Sequence, residues 1–157
     1  MENFSQEIKI IEKICYSFDY ETIDSRKIKN LLKDAVSNAL SSLGYNFVYN
    51  KKLIFRRFDE KNQTLKKKSK GTMDMLFFRE KSQIAVEVNR SSVVRLKSVM
   101  KLICSDSQLK IAVIYPGKSG VVRDEEIIRR ISTVKKAVNM TSPITVINLS
   151  EKKTYNV

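Results

Sequence analysis

The chain has 157 residues, with 30 Lys+Arg against 17 Asp+Glu, no His, no Trp, two Cys, four Gly and two Pro, and a formal net charge of +13. That length suits one domain burying about 70% of its unfolded surface, and 42% apolar with 30% charged residues suits a globular protein. The absences exclude a Ser-His-Asp triad, an imidazole base, a His-ligated metal, a structural zinc site, a disulfide framework, a P-loop and a GxGxxG turn.

Helical spacing of Ile8, Ile11, Cys15 and Phe18 predicts a first amphipathic helix over Phe4–Phe18. A second is expected from Ser25 to Leu43, with Ile28, Leu31, Leu32, Ala35, Val36, Ala39, Leu40 and Leu43 as its apolar face. Asp24 is placed to cap it and Gly44 to end it. Tyr45–Phe58 reads as strand, with a turn allowed at Asn50-Lys51. From Lys51 to Lys70 nine basic residues face two acidic ones, ending in Leu65-Lys66-Lys67-Lys68-Ser69-Lys70-Gly71, an expected exposed basic loop. Two strands follow, Thr72–Phe78 and Gln83–Asn89, with Arg79-Glu80-Lys81-Ser82 between them.

Ser91 or Ser92 is expected to cap a third helix reaching about Ser105, with Val93, Leu96, Val99, Met100 and Ile103 inward. Leu109–Tyr115 is nearly all apolar, as a strand covered on both faces should be. Asp124 is expected to cap a fourth helix, with Glu125 and Glu126 at its positive end and Lys135 and Lys136 at its negative end. Pro143 precedes a last strand, Ile144–Leu149. The order α-α-β-β-β-α-β-α-β predicts an α/β fold: a mixed central sheet of a three-stranded meander plus crossover strands, flanked by helices. The expected organisation is one domain over 1–157, with a helical extension (1–23), a core (24–115) and a C-terminal helix and strand (116–157).

Asp74 and Glu87 each sit in the middle of an apolar strand, where an unpaired acid is almost never buried. A turn centred between Glu80 and Lys81 pairs residues whose numbers sum to 161, so Asp74 faces Glu87, Thr72 faces Asn89 and Leu76 faces Ala85. Met73, Met75, Phe77, Ile84, Val86 and Val88 then share one wholly apolar face, which pins the register. Directly opposed carboxylates lie about 5 Å apart at Cβ and repel. Such a pair is kept by a shared proton, by a Lys or Arg between the acids (Lys97 or Arg90 being the nearest candidates), or by a divalent cation. Oxygen donors of this kind suit Mg²⁺ or Mn²⁺.

Asp74, Glu87, Val88 and Asn89, within an α-β-β-β-α-β order, resemble the PD-(D/E)XK nuclease superfamily of restriction endonucleases and Holliday-junction resolvases. The resemblance spans Asp24–Tyr115 in element order and four residues in motif. It implies a restriction-endonuclease-like fold and Mg²⁺ (or Mn²⁺) held by Asp74, Glu87 and the Val88 carbonyl. Asn89 stands in the slot where that superfamily carries Lys, a departure that removes a charge beside the attacking water. Lys97 is the candidate to take that catalytic role with Asn89, while Lys101 is expected further round toward solvent. The superfamily's helix acid maps onto Asp34, Glu21 or Asp24 without a choice among them.

A net charge of +13 points to a polyanion, and Lys66, Lys67, Lys68, Lys70 and Arg90 are the candidate nucleic-acid contacts. The leading expectation is an Mg²⁺-dependent DNA endonuclease acting on double-stranded or branched DNA, as a homodimer or as a subunit of a nucleoprotein complex. The alternative is a catalytically reduced nuclease-fold protein that only binds nucleic acid, and a weaker third is an RNA-directed protein. No apolar stretch approaches the ~20 residues of a membrane span, and Met1–Gln6 lacks the pattern of a secretory signal. Cys15 and Cys104 read as small buried hydrophobes, so a reducing cytoplasm is expected.

Overall fold

A six-stranded mixed sheet runs through the protein in chain order. The computed structural model describes residues 3–117 and 120–157; Met1 and Glu2 of the N-terminal segment read above lie outside it. The elements are α1 (Ser5–Ser17), α2 (Ile28–Ser42), β1 (Asn46–Asp59), β2 (Thr64–Arg79), β3 (Ser82–Arg90), α3 (Leu96–Cys104), β4 (Leu109–Tyr115), α4 (Asp124–Ala137), β5 (Thr145–Asn148) and β6 (Lys153–Asn156). Strands β1, β2 and β3 form the antiparallel meander, β3, β4 and β5 run parallel with α3 and α4 as crossovers, and β6 pairs back on β5. The expected α/β class and mixed sheet are therefore present. Among the described residues no helix is long and apolar enough to cross a membrane.

Helices cover both faces of the sheet. On one side Ile11, Cys15, Ile28, Leu32, Val36 and Leu40 of α1 and α2 meet Met75, Phe77, Ile84, Val86, Val88, Ile111 and Val113. On the other Val99, Met100, Leu102, Ile127, Ile131 and Val134 of α3 and α4 meet Met73, Ala85, Ala112, Ile114 and Val146. Burial on both sides explains why β4 shows no polar alternation. Glu7 of α1 is 3% exposed and accepts from Tyr45 Oη at 3.0 Å and Arg79 Nη2 at 3.2 Å, which fastens the first helix to the meander.

Several local expectations are corrected. The expected basic loop is strand: β2 begins at Thr64 and pairs with β1 as a long ribbon, Ile54 opposite Lys70 and Arg56 opposite Lys68. Only residues 60–63 turn, where the Asp59 carboxylate accepts from the Lys61 and Asn62 amides. Asn50-Lys51 is no turn, because β1 passes through it with Asn50 at φ 52°. Helix α2 starts three residues after Ser25, since Asp24 closes a preceding turn, its carbonyl accepting from Lys27 and Ile28; Leu31 points outward at 45% exposure.

Ser91 and Ser92 do not cap α3, which begins at Leu96; their backbones instead bond Tyr115 and Arg123. Asp124 begins α4 but spends its side chain on Asn148 Nδ2 and Tyr155 Oη. Strand β6 was not expected from the sequence. Cys15 is buried, its thiol pushed up to about 12 by desolvation, with Glu12 adding to the rise, whereas Cys104 is exposed at the end of α3.

The ribbon depends on one close approach. A Cβ at Gly71 would lie 2.6 Å from Phe55 Cε1, and Phe55 is 1% exposed. Gly71→Ala must move that ring out of its packed position, so a loss of about 1–3 kcal/mol is expected in urea denaturation. An unchanged midpoint would show that the ring yields freely.

Candidate functional site

The two acids meet where the sheet changes character. Strands β2 and β3 keep the sum-161 register from Arg79↔Ser82 to Met75↔Val86. Beyond that rung side chains replace the ladder: the Asp74 amide donates to Glu87 Oε1 at 2.9 Å, and the Val88 amide donates to Asp74 Oδ2 at 2.8 Å. Each carboxylate thus takes the place of a carbonyl from the facing strand. The side-chain alternation of β2 also breaks here, because Met73 joins the α3/α4 cluster while Met75 joins the α1/α2 cluster. The single apolar face expected from Met73 to Phe77 is corrected at Met73.

Asp74 is 6% exposed and Glu87 1%. Their remaining oxygens are held by two lysines from opposite helical layers. Lys29 Nζ of α2 lies 2.8 Å from Asp74 Oδ1, and Lys101 Nζ of α3 lies 2.5 Å from Glu87 Oε2. Lys101 also donates to the Thr72 carbonyl at 2.8 Å. Every carboxylate oxygen of the pair therefore has one donor.

Lys101 was expected toward solvent; it is 8% exposed and at the acids. Its flexible stem carries the ammonium back along the helix to the sheet. Lys97, expected in that role, is exposed, with Nζ 5.9 Å from the centre of the Phe55 ring. Arg90 is exposed at the end of β3 and lines a cavity of about 580 Å³ with Tyr20, Ile28 and Pro116.

Asn89 is 2% exposed. Its Oδ1 accepts from Ser98 Oγ of α3 at 3.0 Å, while its Nδ2 is buried with no partner among the described residues. Ser98 and Lys101, three apart on α3, thus address Asn89 and Glu87, two apart on β3. A second stripe, Lys29, Lys33 and Ser37 at four-residue spacing on α2, runs along β1 and β2. Lys33 is 5% exposed, sits 4.7 Å over the Tyr49 ring and reaches Asn50 Oδ1 at 3.5 Å. Burial lowers its pKa, with Asp74 opposing and Lys29 reinforcing that fall. Sequence reasoning missed both stripes; the usable signal was polar residues at i, i+3 and i+4 beside an apolar face.

None of the three candidate helix acids joins the pair. Asp34 is exposed and accepts from Tyr49 Oη at 2.9 Å, Glu21 lines the cavity with Arg90, and Asp24 lies before α2, 3.6 Å from Arg26. Among the described residues no three His, Cys, Asp or Glu side chains gather as a metal cluster. The oxygen donors brought together here, the Asp74 and Glu87 carboxylates, are of the kind that could hold a hard divalent cation. A carboxylate has about four acceptor positions, so one donor on each oxygen leaves room for such an ion.

Glu87 titrates above the ordinary carboxylate range, because burial and then the Asp74 charge oppose its ionisation, against the pull of Lys101 and the Asp74 amide. A carboxyl raised by folding binds its proton more tightly in the folded state. Its stabilising contribution is full below the unfolded value and is lost as pH rises through the raised one. The stability of Glu87→Gln relative to wild type is therefore expected to improve as pH climbs above about 4, in metal-free urea denaturation. A difference that moves the other way would mean that the Lys101 pairing outweighs burial.

No family model, curated protein or solved structure matches the chain.

Proposed function

We propose that the protein is a divalent-metal-dependent nuclease whose centre is the Asp74–Glu87 pair. One observation carries this reading: two carboxylates from adjacent strands are buried together at the point where the sheet ladder opens. Burial of like charges is costly, and a site that collects them is suited to Mg²⁺ or Mn²⁺ with a phosphodiester. The metal, held by Asp74, Glu87 and the Val88 carbonyl, would supply an activated water and neutralise charge on the phosphate.

This chain's own residues would do the rest. Lys101, already on Glu87, supplies the cation that Asn89 lacks. Asn89 offers its unpartnered Nδ2 to a water or phosphate oxygen. Lys29, 43% exposed at its side chain, can turn from Asp74 toward a phosphate as the substrate arrives. The meander followed by a crossover helix and a parallel strand resembles the element order of the PD-(D/E)XK superfamily, which supports the reading.

The satisfied state of all four carboxylate oxygens favours a second reading, a nuclease-fold protein that binds nucleic acid without cutting it. In that case Lys29 and Lys101 are permanent counter-ions. Incubation of supercoiled plasmid with the protein and Mg²⁺ or Mn²⁺, beside a chelator control, separates the two. Metal-dependent nicking is expected, and intact plasmid with bound protein would assign the second reading.

A further inference from the structure

The ribbon of β1 and β2 sorts its side chains by face. Its register sets Lys52 opposite Thr72, Ile54 opposite Lys70 and Arg56 opposite Lys68, and residues two apart on a strand share a face. Leu53, Phe55, Ser69 and Gly71 make the inner face, which packs under α3 through buried Phe55. Lys52, Ile54, Arg56, Lys68, Lys70 and Thr72 make the outer face, all exposed, with Ile54 at 61%. That face carries four cations and no acid. Lys52, Lys68 and Lys70 make no ion pair among the described residues, and Arg56 is steadied by the Lys66 and Leu65 carbonyls.

We propose that this outer face enters the major groove of B-form duplex DNA, its cations against the phosphates and Ile54 and Thr72 toward the base edges. Three features select this partner. A row of unpaired cations is relieved by a polyanion, with release of the polyanion's counterions. A two-stranded ribbon matches the ~12 Å width of the B-form major groove, whereas the major groove of an A-form RNA duplex is too deep and narrow to admit one. An exposed apolar side chain amid cations suits a surface that must also touch thymine methyls. The face is continuous with the carboxylate pair, since Lys70 precedes Asp74 by four residues, or ~13 Å of strand, and Thr72 is tied to Lys101. The inference shares with the nuclease reading only the nature of the partner; it concerns binding and needs no metal.

The test is fluorescence anisotropy in chelator, across a range of NaCl, with a 20-base-pair DNA duplex, the same sequence as an RNA duplex, and its single DNA strand. Wild type is expected to prefer the DNA duplex at least tenfold. Changing Lys52, Arg56, Lys68 and Lys70 together to Ala should weaken binding at least ~100-fold and reduce the magnitude of the log–log salt slope by about 3–4, since each phosphate neutralised contributes roughly 0.9. A control with the same charge loss elsewhere, at exposed Lys9, Lys13, Lys81 and Lys136, should change affinity far less.

Equal weakening in both variants would reduce the effect to net charge and overturn the proposal, as would equal or tighter binding of the RNA duplex or single strand. Because the quadruple variant could lose structure, wild type is also read by methylation protection at guanine N7 in the major groove. Protection is expected, and its absence on bound DNA rejects the groove assignment. Duplex binding with protection but no metal-dependent nicking would overturn the nuclease reading and leave the ribbon's role intact.

Discussion

Asp74→Ala and Glu87→Ala should each reduce metal-dependent plasmid nicking by at least ~100-fold while leaving duplex affinity unchanged or higher. Removing a preorganised group at a site of developing charge costs on that scale or more, and each acid supplies half of the carboxylate set for the cation. Affinity should not fall, because each change removes a negative charge from a site beside the basic ribbon. Isothermal titration with Mg²⁺ or Mn²⁺ supplies a second readout, in which each variant should lose the heat of binding seen with wild type. A Glu87→Ala protein that nicks at the normal rate would place the chemistry elsewhere in the molecule.

Lys101→Met is expected to cost about 3–5 kcal/mol, the usual consequence of removing one partner of a buried ion pair. Glu87 is 1% exposed and Lys101 8%, so the change leaves the Glu87 carboxylate buried without the cation that pairs with it. The Thr72 carbonyl loses its donor as well. Since domains of this size are stable by only about 5–15 kcal/mol, the variant should unfold at a much lower urea midpoint. Combining Lys101→Met with Glu87→Gln should recover most of that loss, because the stranded charge goes too. If Lys101→Met is as stable as wild type, the pair is not the counter-ion device described above.

The Asp74–Glu87 pairing was legible in the sequence because a two-residue turn at Glu80-Lys81 leaves a single register that keeps Phe77, Ile84 and Val86 inside. The meander and parallel crossovers were legible for a similar reason: each segment's apolar pattern admits one layer. The basic ribbon was not. A run such as Lys66-Lys67-Lys68 looks like loop, yet an antiparallel strand needs apolar or small residues on one face only, and Leu65, Ser69 and Gly71 provide them beneath Phe55.

The cations at the site were missed for a geometric reason. Helical position alone turns Lys101 toward solvent, whereas its ammonium lies several bonds away and reaches Glu87. Lys29 and Lys33 lie on α2 beside an apolar stripe that dominates its pattern. Strand β6 is four residues long and only partly buried, so it leaves almost no periodic trace.

A sheet whose strand order repeats the chain order can assemble by adding each element to the one just made. No strand has to be inserted between two already paired, and every pairing closes either a tight turn or one helical crossover. Loop-closure entropy is then met in small steps, which favours faster folding than an interleaved sheet of the same size would allow. Chain order also dictates the history of the site. Asp74 and Glu87 are brought together when the Glu80-Lys81 turn closes, with α2 and its Lys29 already synthesised. Lys101 arrives one element later, when α3 docks. Until then Glu87 lacks that counter-ion, and docking of α3 supplies the ammonium that opposes the cost of burying the carboxylate.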